Sequence, residues 1–136
     1  MSASLKQLVD SSAWIEVLRP KGDEDTRRDV EEAVRAGDAV LCDMVLLELW
    51  AGAGGNRERA VIAGLEADLE ILPIGKEVWR EAFALARLCR AAGITVPASD
   101  LVIAACADHH DVEIVARDEH FAQIDTARAR RGGSKS

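Results

Sequence analysis

Four acidic residues stand where a chain of alternating strands and helices would bring carboxylates together. Asp10 and Asp118 each follow a short apolar run, and Glu48 and Asp100 lie within or beside apolar stretches that contain no lysine or arginine. An unpaired buried carboxylate costs several kcal/mol, and a divalent cation compensates several of them at once. Oxygen ligands favour Mg2+, or Mn2+ in its place, and such ions attract phosphate. The four residues are therefore a candidate metal site.

The predicted strands and helices explain why these acids would meet. Apolar runs bounded by Gly, Pro and Asp predict strands over 5–9, 39–42, 69–72 and 112–116. Helical patterns occupy 13–18, 23–36, 44–51, 57–68, 76–92 and 100–107, with a short helix near Phe121. This alternation predicts a three-layer α/β/α domain with a central, mainly parallel sheet of four to five strands. In such a sheet, strand ends and helix starts share the carboxyl edge, where sites form.

Taken singly, most of these acids also have a structural explanation. Asp100 would be stabilised by the dipole at a helix start, and Asp10 would begin the turn after its strand. We predict Asp43 and Ser99 to be N-cap residues of the helices that follow them. Glu48, inside an apolar helix, is the hardest to explain structurally, and the four acids together favour the metal site.

Length and composition describe an ordinary globular protein. The chain has 136 residues, 49% of them hydrophobic and 30% charged, which indicates one folded domain and excludes a coiled coil or a disordered chain. We expect the domain to span 1–127 and the basic tail 128–136 to be disordered. The longest apolar stretch, 101–107, is far shorter than the roughly 18 residues of a membrane helix, and the polar start lacks a signal sequence. These features predict a cytoplasmic protein.

Charge and cysteine content narrow the function classes further. The 17 basic and 24 acidic residues give a net charge of −7, which argues against a nucleic-acid coat protein but not against an enzyme that acts on RNA. The three cysteines are widely spaced among apolar neighbours, so we expect buried free thiols: Cys42, Cys89 and Cys106.

The sequence around the four acids resembles the PIN-domain ribonucleases and, among them, the VapC toxins of VapBC toxin–antitoxin pairs. Four segments carry the resemblance in the family's order: 8–14 (LVDSSAW), 46–52 (LLELWAG), 97–105 (PASDLVIAA) and 117–121 (RDEHF). Together they span nearly the whole chain. The resemblance implies that Asp10, Glu48, Asp100 and Asp118 are the catalytic, metal-binding acids and that Ser12 is a hydroxyl beside the first of them.

The same resemblance implies an activity and its partners. It predicts a Mg2+-dependent endoribonuclease, with Mn2+ as a substitute ion, that hydrolyses RNA phosphodiester bonds and leaves a 5′-phosphate. Such a toxin is paired with a VapB-like antitoxin and forms a homodimer or a toxin–antitoxin hetero-oligomer. The net charge of −7 suits a basic antitoxin segment.

Two departures from the family pattern leave an alternative open. Ala116 stands where the family often has Thr or Ser, so we expect a hydrogen bond to Asp118 to be absent, and no final strand is evident in 124–136. A catalytically silent PIN-like binding module would also fit. A receiver-like signalling domain is disfavoured, because it needs an adjacent acidic pair after the first strand and Asp10 is followed by Ser11.

The histidines are predicted to lie outside the chemistry. His109 and His110 fall in a turn, 108–111, at the sheet edge opposite the acids, where a solvated turn is the better interpretation. His120 lies two residues after Asp118, within reach of a substrate, but we predict it to be an exposed residue at a helix start.

Overall fold

A four-stranded parallel sheet forms the centre of the computed structural model, which describes residues 5–134. In chain order the strands are β1 (Gln7–Val9), β2 (Ala39–Cys42), β3 (Glu70–Leu72) and β4 (Glu113–Val115). Their spatial order is β3-β2-β1-β4, and Leu8 of β1 pairs with Val40 on one side and Ile114 on the other. The first strand is therefore central and contacts the last.

Seven helices connect and follow the strands in the described part of the chain. They are α1 (Ser11–Leu18), α2 (Glu24–Ala36), α3 (Asp43–Gly52), α4 (Asn56–Asp68), α5 (Lys76–Ala91), α6 (Ala98–His110) and α7 (His120–Ser134). The chain moves outward from β1 to β3 and then returns across the sheet to β4. Because parallel crossovers are right-handed, the helices before and after this reversal cover opposite faces. The predicted three-layer α/β class with a parallel sheet is confirmed.

The core lies on both faces of the central strands. All of β2 is buried, as are Leu8 and Val9 of β1 and Ile103 of α6. Full burial of such side chains contributes about 1.5 to 3 kcal/mol each to stability. Because both faces of these strands are buried, their sequences are continuous apolar runs rather than alternating ones. The three cysteines are buried free thiols, as predicted.

Two predicted helix caps are wrong. Asp43 is the first helical residue of α3, and Cys42 occupies the N-cap position without a side-chain bond. Helix α6 begins at Ala98 after Pro97, so Ser99 lies inside the first turn instead of capping it. The proline ring fixes the backbone at the helix start, and the Ser99 hydroxyl is left to reach another part of the chain.

The tail from residue 128 is helical as far as Ser134, contrary to the predicted disorder. Two side chains attach this last part of α7 to the domain. Arg128 forms an ion pair with Asp108, and Arg130 donates a hydrogen bond of 2.8 Å to a backbone carbonyl after α5. The last two residues lie outside the described part. Between residues 116 and 134 no further strand follows β4, and no described helix is long and apolar enough to cross a membrane.

Candidate metal centre

Asp10 lies at the carboxyl end of β1 with only 1% of its surface exposed. Its backbone amide donates to the carbonyl of Val115, which continues the pairing with β4 beyond the strand. One carboxylate oxygen, Oδ2, caps α1 by accepting from the Ser12 amide at 3.1 Å and the Ser12 hydroxyl at 2.6 Å. The other, Oδ1, is buried and has no hydrogen-bond partner among residues 5–130. An orphaned anionic oxygen of this kind requires a compensating group.

The charges of other carboxylates act on Asp10 and on Asp100. Burial raises the pKa of Asp10, hydrogen bonds from Ser12 oppose the rise, and the charges of Asp118 and Glu48 add to it. Burial likewise raises the pKa of Asp100 to about 6, with the charges of Asp10 and Asp118 adding and a hydrogen bond from His120 opposing. Repulsion between converging anions and the loss of solvation both disfavour the charged forms. A cation at this point would reverse both effects.

Asp100, Asp118 and His120 form the tightest group in the cluster. His120 Nδ1 lies 2.7 Å from Asp100 Oδ2 and 3.6 Å from Asp118 Oδ1. One ligand atom from each of the three residues lies within 4.8 Å of the others. His120 begins α7, as predicted, and its side chain is 37% exposed, but its ring also contacts the acids, which was not predicted from the sequence. The sequence signal was its spacing of two residues from Asp118.

Ala116 has no hydroxyl that could donate a hydrogen bond to Asp118, but another donor holds this acid in place. Its Oδ1 accepts the backbone amide of His120 at 3.0 Å. This bond closes a local turn at the start of α7, a common role for an aspartate two residues before a helical amide. The chain thus supplies a main-chain donor for Asp118.

Glu48 lies in the second turn of α3 and is half-buried. Both of its oxygens accept hydroxyl hydrogen bonds, Oε1 from Ser11 at 3.0 Å and Oε2 from Ser99 at 2.9 Å. The sequence indicated a carboxylate without a compensating partner, and the structure supplies two serines from different helices. Because its charge raises the pKa of Asp10, Glu48 belongs to the same electrostatic cluster as the other three acids.

Ser12 connects the beginning of the site to its end. Its hydroxyl donates to Asp10 Oδ2 and accepts the backbone amide of Arg117 at 2.9 Å. The loop that carries Asp118 is therefore tied to the residue that carries Asp10. A single hydroxyl with one bond on each side fixes the relative positions of the two acids.

A cavity of about 230 Å³ adjoins the acidic cluster between α1, α3 and α4. Ser11 and Glu48 line its inner side, and Ile15 and Leu49 line its apolar side. Arg19 also borders it and contributes positive charge. Glu48 thus faces a space with apolar walls, whose other charged lining residues are Arg19 and Glu58.

The remaining histidines lie away from these acids, as predicted, although the turn predicted at 108–111 is helical. Helix α6 continues through His110 and ends at Asp111, whose φ of 54° marks a left-handed C-cap. His110 Nε2 lies 2.9 Å from the carbonyl oxygen of Pro73, and His109 is exposed. Both stand at the opposite end of α6 from Asp100.

Solved structures with the same fold include toxin–antitoxin complexes and a toxin. FitAcB from Neisseria gonorrhoeae has a TM-score of 0.73 and 24% identity, covering 88% of this chain and 93% of that one. VapBC2 from Rickettsia felis, bound to a DNA fragment from its promoter, has a TM-score of 0.69 and 15% identity, with coverage of 83% and 87%. VapC20 from Mycobacterium tuberculosis, a toxin that cleaves the sarcin-ricin loop, has a TM-score of 0.68 and 17% identity, with coverage of 86% and 93%. At these identities the similarity shows a shared fold.

Sequence comparison identifies the family. No curated protein sequence matches this chain. The model of the PIN domain matches residues 8–127, a range that contains all four acids of the cluster and nearly all of the secondary structure. The chain therefore belongs to the PIN domain family.

Proposed function

We propose that this protein is a metal-dependent endoribonuclease that acts as the toxin of a toxin–antitoxin pair. The observation that carries the proposal is the buried, unpartnered Oδ1 of Asp10 in a cluster of carboxylates whose charges raise the pKa of Asp10 and of Asp100. No lysine or arginine side chain pairs with Asp10, Asp100 or Glu48 within the described residues. A divalent cation is the compensating group that this set of oxygen donors fits best.

Asp10, Asp100 and Asp118 would hold the ion, with Glu48 beside them. Mg2+, or Mn2+ in its place, supplies a water of lowered pKa and neutralises charge on a phosphodiester. The protein's own groups provide orientation. Ser12 occupies Oδ2 of Asp10 and so leaves Oδ1 available to the ion, and two serine hydroxyls hold both oxygens of Glu48.

RNA would approach along the cationic margin of the site. Arg19 borders the cavity next to Glu48 and lies 3.4 Å from Glu16. Arg117 precedes Asp118 in a loop, with its side chain 55% exposed and 3.7 Å from Asp23, so RNA phosphates would replace these carboxylates as partners. Guanidinium groups recognise phosphate oxygens through paired hydrogen bonds. We propose that the side chains of Arg19 and Arg117 contact phosphates of the RNA backbone.

Cleavage of total cellular RNA by the purified, antitoxin-free protein tests the activity. We expect discrete fragments with 5′-phosphate ends in Mg2+ or Mn2+ and none in EDTA. Asp100→Asn should abolish cleavage, whereas Glu31→Gln, an exposed acid of α2, should leave it unchanged; circular dichroism verifies that both variants fold. Failure of the folded, metal-replete protein to cut would favour a silent binding module, and cleavage that survives EDTA would refute the metal mechanism.

The toxin role is tested in cells. The proposed partner is a VapB-like antitoxin that carries a basic segment into the acidic cluster, within a homodimer or a toxin–antitoxin hetero-oligomer in the cytoplasm. Expression of the chain alone should slow growth, and Asp10→Asn should relieve the defect. Undiminished toxicity of that variant would contradict the proposal, and pull-down with the cognate antitoxin tests the pairing.

A further inference from the structure

The imidazole of His120 lies among the proposed metal ligands. We propose that His120 Nδ1 is itself a ligand, which gives the centre a mixed oxygen and nitrogen donor set and a preference for Mn2+ over Mg2+. This inference rests on the proposed metal site and adds a residue to it.

The distances suit one six-coordinate ion. Ligands about 2.1 Å from a small divalent cation lie about 3 Å apart when adjacent and about 4.2 Å apart when opposite. Nδ1 of His120 is 2.7 Å from Asp100 Oδ2 and 3.6 Å from Asp118 Oδ1, and one ligand atom of each residue lies within 4.8 Å of the others. The three donors therefore already surround a common point with little rearrangement.

A second observation favours a ligand over a counter-ion. A protonated His120 would pair with Asp100 and Asp118, but Oδ1 of Asp10 would stay buried without a partner. An ion held by His120, Asp100 and Asp118 would bring positive charge close to Asp10, whose own charge already acts on Asp100. The side chain of His120 is 37% exposed, so an ion can reach Nδ1 from solvent.

The nitrogen ligand determines which metal is preferred. Mg2+ keeps oxygen ligands and dehydrates reluctantly, whereas transition-metal ions accept imidazole readily. We expect Mn2+ to bind more tightly than Mg2+. His120→Gln should lower Mn2+ affinity by at least about tenfold and change Mg2+ affinity by less than about threefold.

Electron paramagnetic resonance of Mn2+ bound to the full-length protein tests the assignment without any measurement of activity. Loss of the free Mn2+ signal measures binding, and electron spin-echo modulation detects a coordinated ¹⁴N nucleus. The wild-type protein should show nitrogen coupling, and His120→Gln should bind Mn2+ without it. His109→Gln, which alters an exposed histidine at the far end of α6, should retain the coupling.

Each other outcome has a definite meaning. Mn2+ bound by the wild-type protein without nitrogen coupling overturns the His120 assignment and leaves the carboxylate site intact. A rise in Mn2+ affinity in His120→Gln also overturns it, because His120 would then be a competing counter-ion. Absence of Mn2+ binding to the wild-type protein refutes the ligand and the proposed metal-dependent function together.

Discussion

Replacing Asp100 with Asn should stabilise the metal-free protein at neutral pH. Burial raises the pKa of this carboxyl from 3.8 to about 6, and the charges of Asp10 and Asp118 contribute. Below about pH 3 the group is protonated in the folded and unfolded chains alike, so it carries no penalty. Between about pH 4 and about pH 6 the unfolded chain ionises first, and the free energy of unfolding of the wild-type protein falls. Above that range the full penalty remains.

The magnitude follows from the two pKa values. A pKa raised from 3.8 to about 6 corresponds to about 3 kcal/mol of lost stability near pH 7.5 and about 1 kcal/mol near pH 4.5. The neutral amide removes this penalty, and the raised pKa already includes the effect of the hydrogen bond from His120. Asp100→Asn should therefore be more stable than wild type by about 3 kcal/mol near pH 7.5 and by about 1 kcal/mol near pH 4.5.

Urea unfolding in EDTA, followed by far-UV circular dichroism at both pH values, measures the difference. Glu31→Gln removes an exposed charge from α2 and should change stability by less than about 0.5 kcal/mol at either pH. With saturating Mg2+ the wild-type protein should become more stable than Asp100→Asn, because only the wild-type protein is stabilised by binding the ion. A variant that is less stable than wild type near pH 7.5 in EDTA would refute the claim that Asp100 is held in an unfavourable charged state.

Four further predictions each rest on one feature of the structure. Ser12→Ala removes the hydroxyl that donates to Asp10 and should slow RNA cleavage at least about tenfold; an unchanged initial rate would show that Asp10 is oriented without it. Gly22→Ala should lower stability to urea by about 1 to 3 kcal/mol, because a Cβ there would lie 1.8 Å from a backbone carbonyl oxygen of α1. Gly64→Ala, on the exposed face of α4 with open space around its Cβ, should instead raise stability by about 0.5 to 1 kcal/mol, and a shared sign for the two glycine variants would contradict this. Metal binding near pH 6 should release about half a proton from Asp100 and much less near pH 8, as calorimetry in buffers of different ionisation enthalpy would show; equal release at both values would contradict the raised pKa.

The parts of the fold that local sequence determines were predicted well. The run 39–42 is wholly apolar and forms β2 with the predicted bounds, since a strand buried on both faces needs no alternation. Gly93, with a φ of 72°, follows α5 where a left-handed residue is required. Asp10 and Asp100 are placed by such local signals, a strand end and a helix start, and both are buried as the metal-site prediction requires.

The parts that depend on distant residues were not predictable from one sequence. Glu48 is held by Ser11 and Ser99, which lie 37 and 51 positions away along the chain. The ring of His120 meets Asp100 only because α7 begins at that residue and packs against the domain. The helical tail depends in the same way on the ion pair of Arg128 with α6. Local patterns place an element, whereas contacts between elements decide which side chains meet.

The left-handed turn at Gly93 divides the acids into two pairs. Asp10 and Glu48 precede it, and Asp100 and Asp118 follow it. A polypeptide cut at this turn would yield two fragments, each with two of the four acids. The first fragment would contain β1, β2 and β3, and the second would contain β4, which pairs with β1 in the intact sheet. During synthesis the same arrangement delays assembly of the cluster until β4 is made, so a product terminated before β4 would carry an incomplete set of acids. The two fragments also provide a natural design for a split reporter whose signal depends on their reunion.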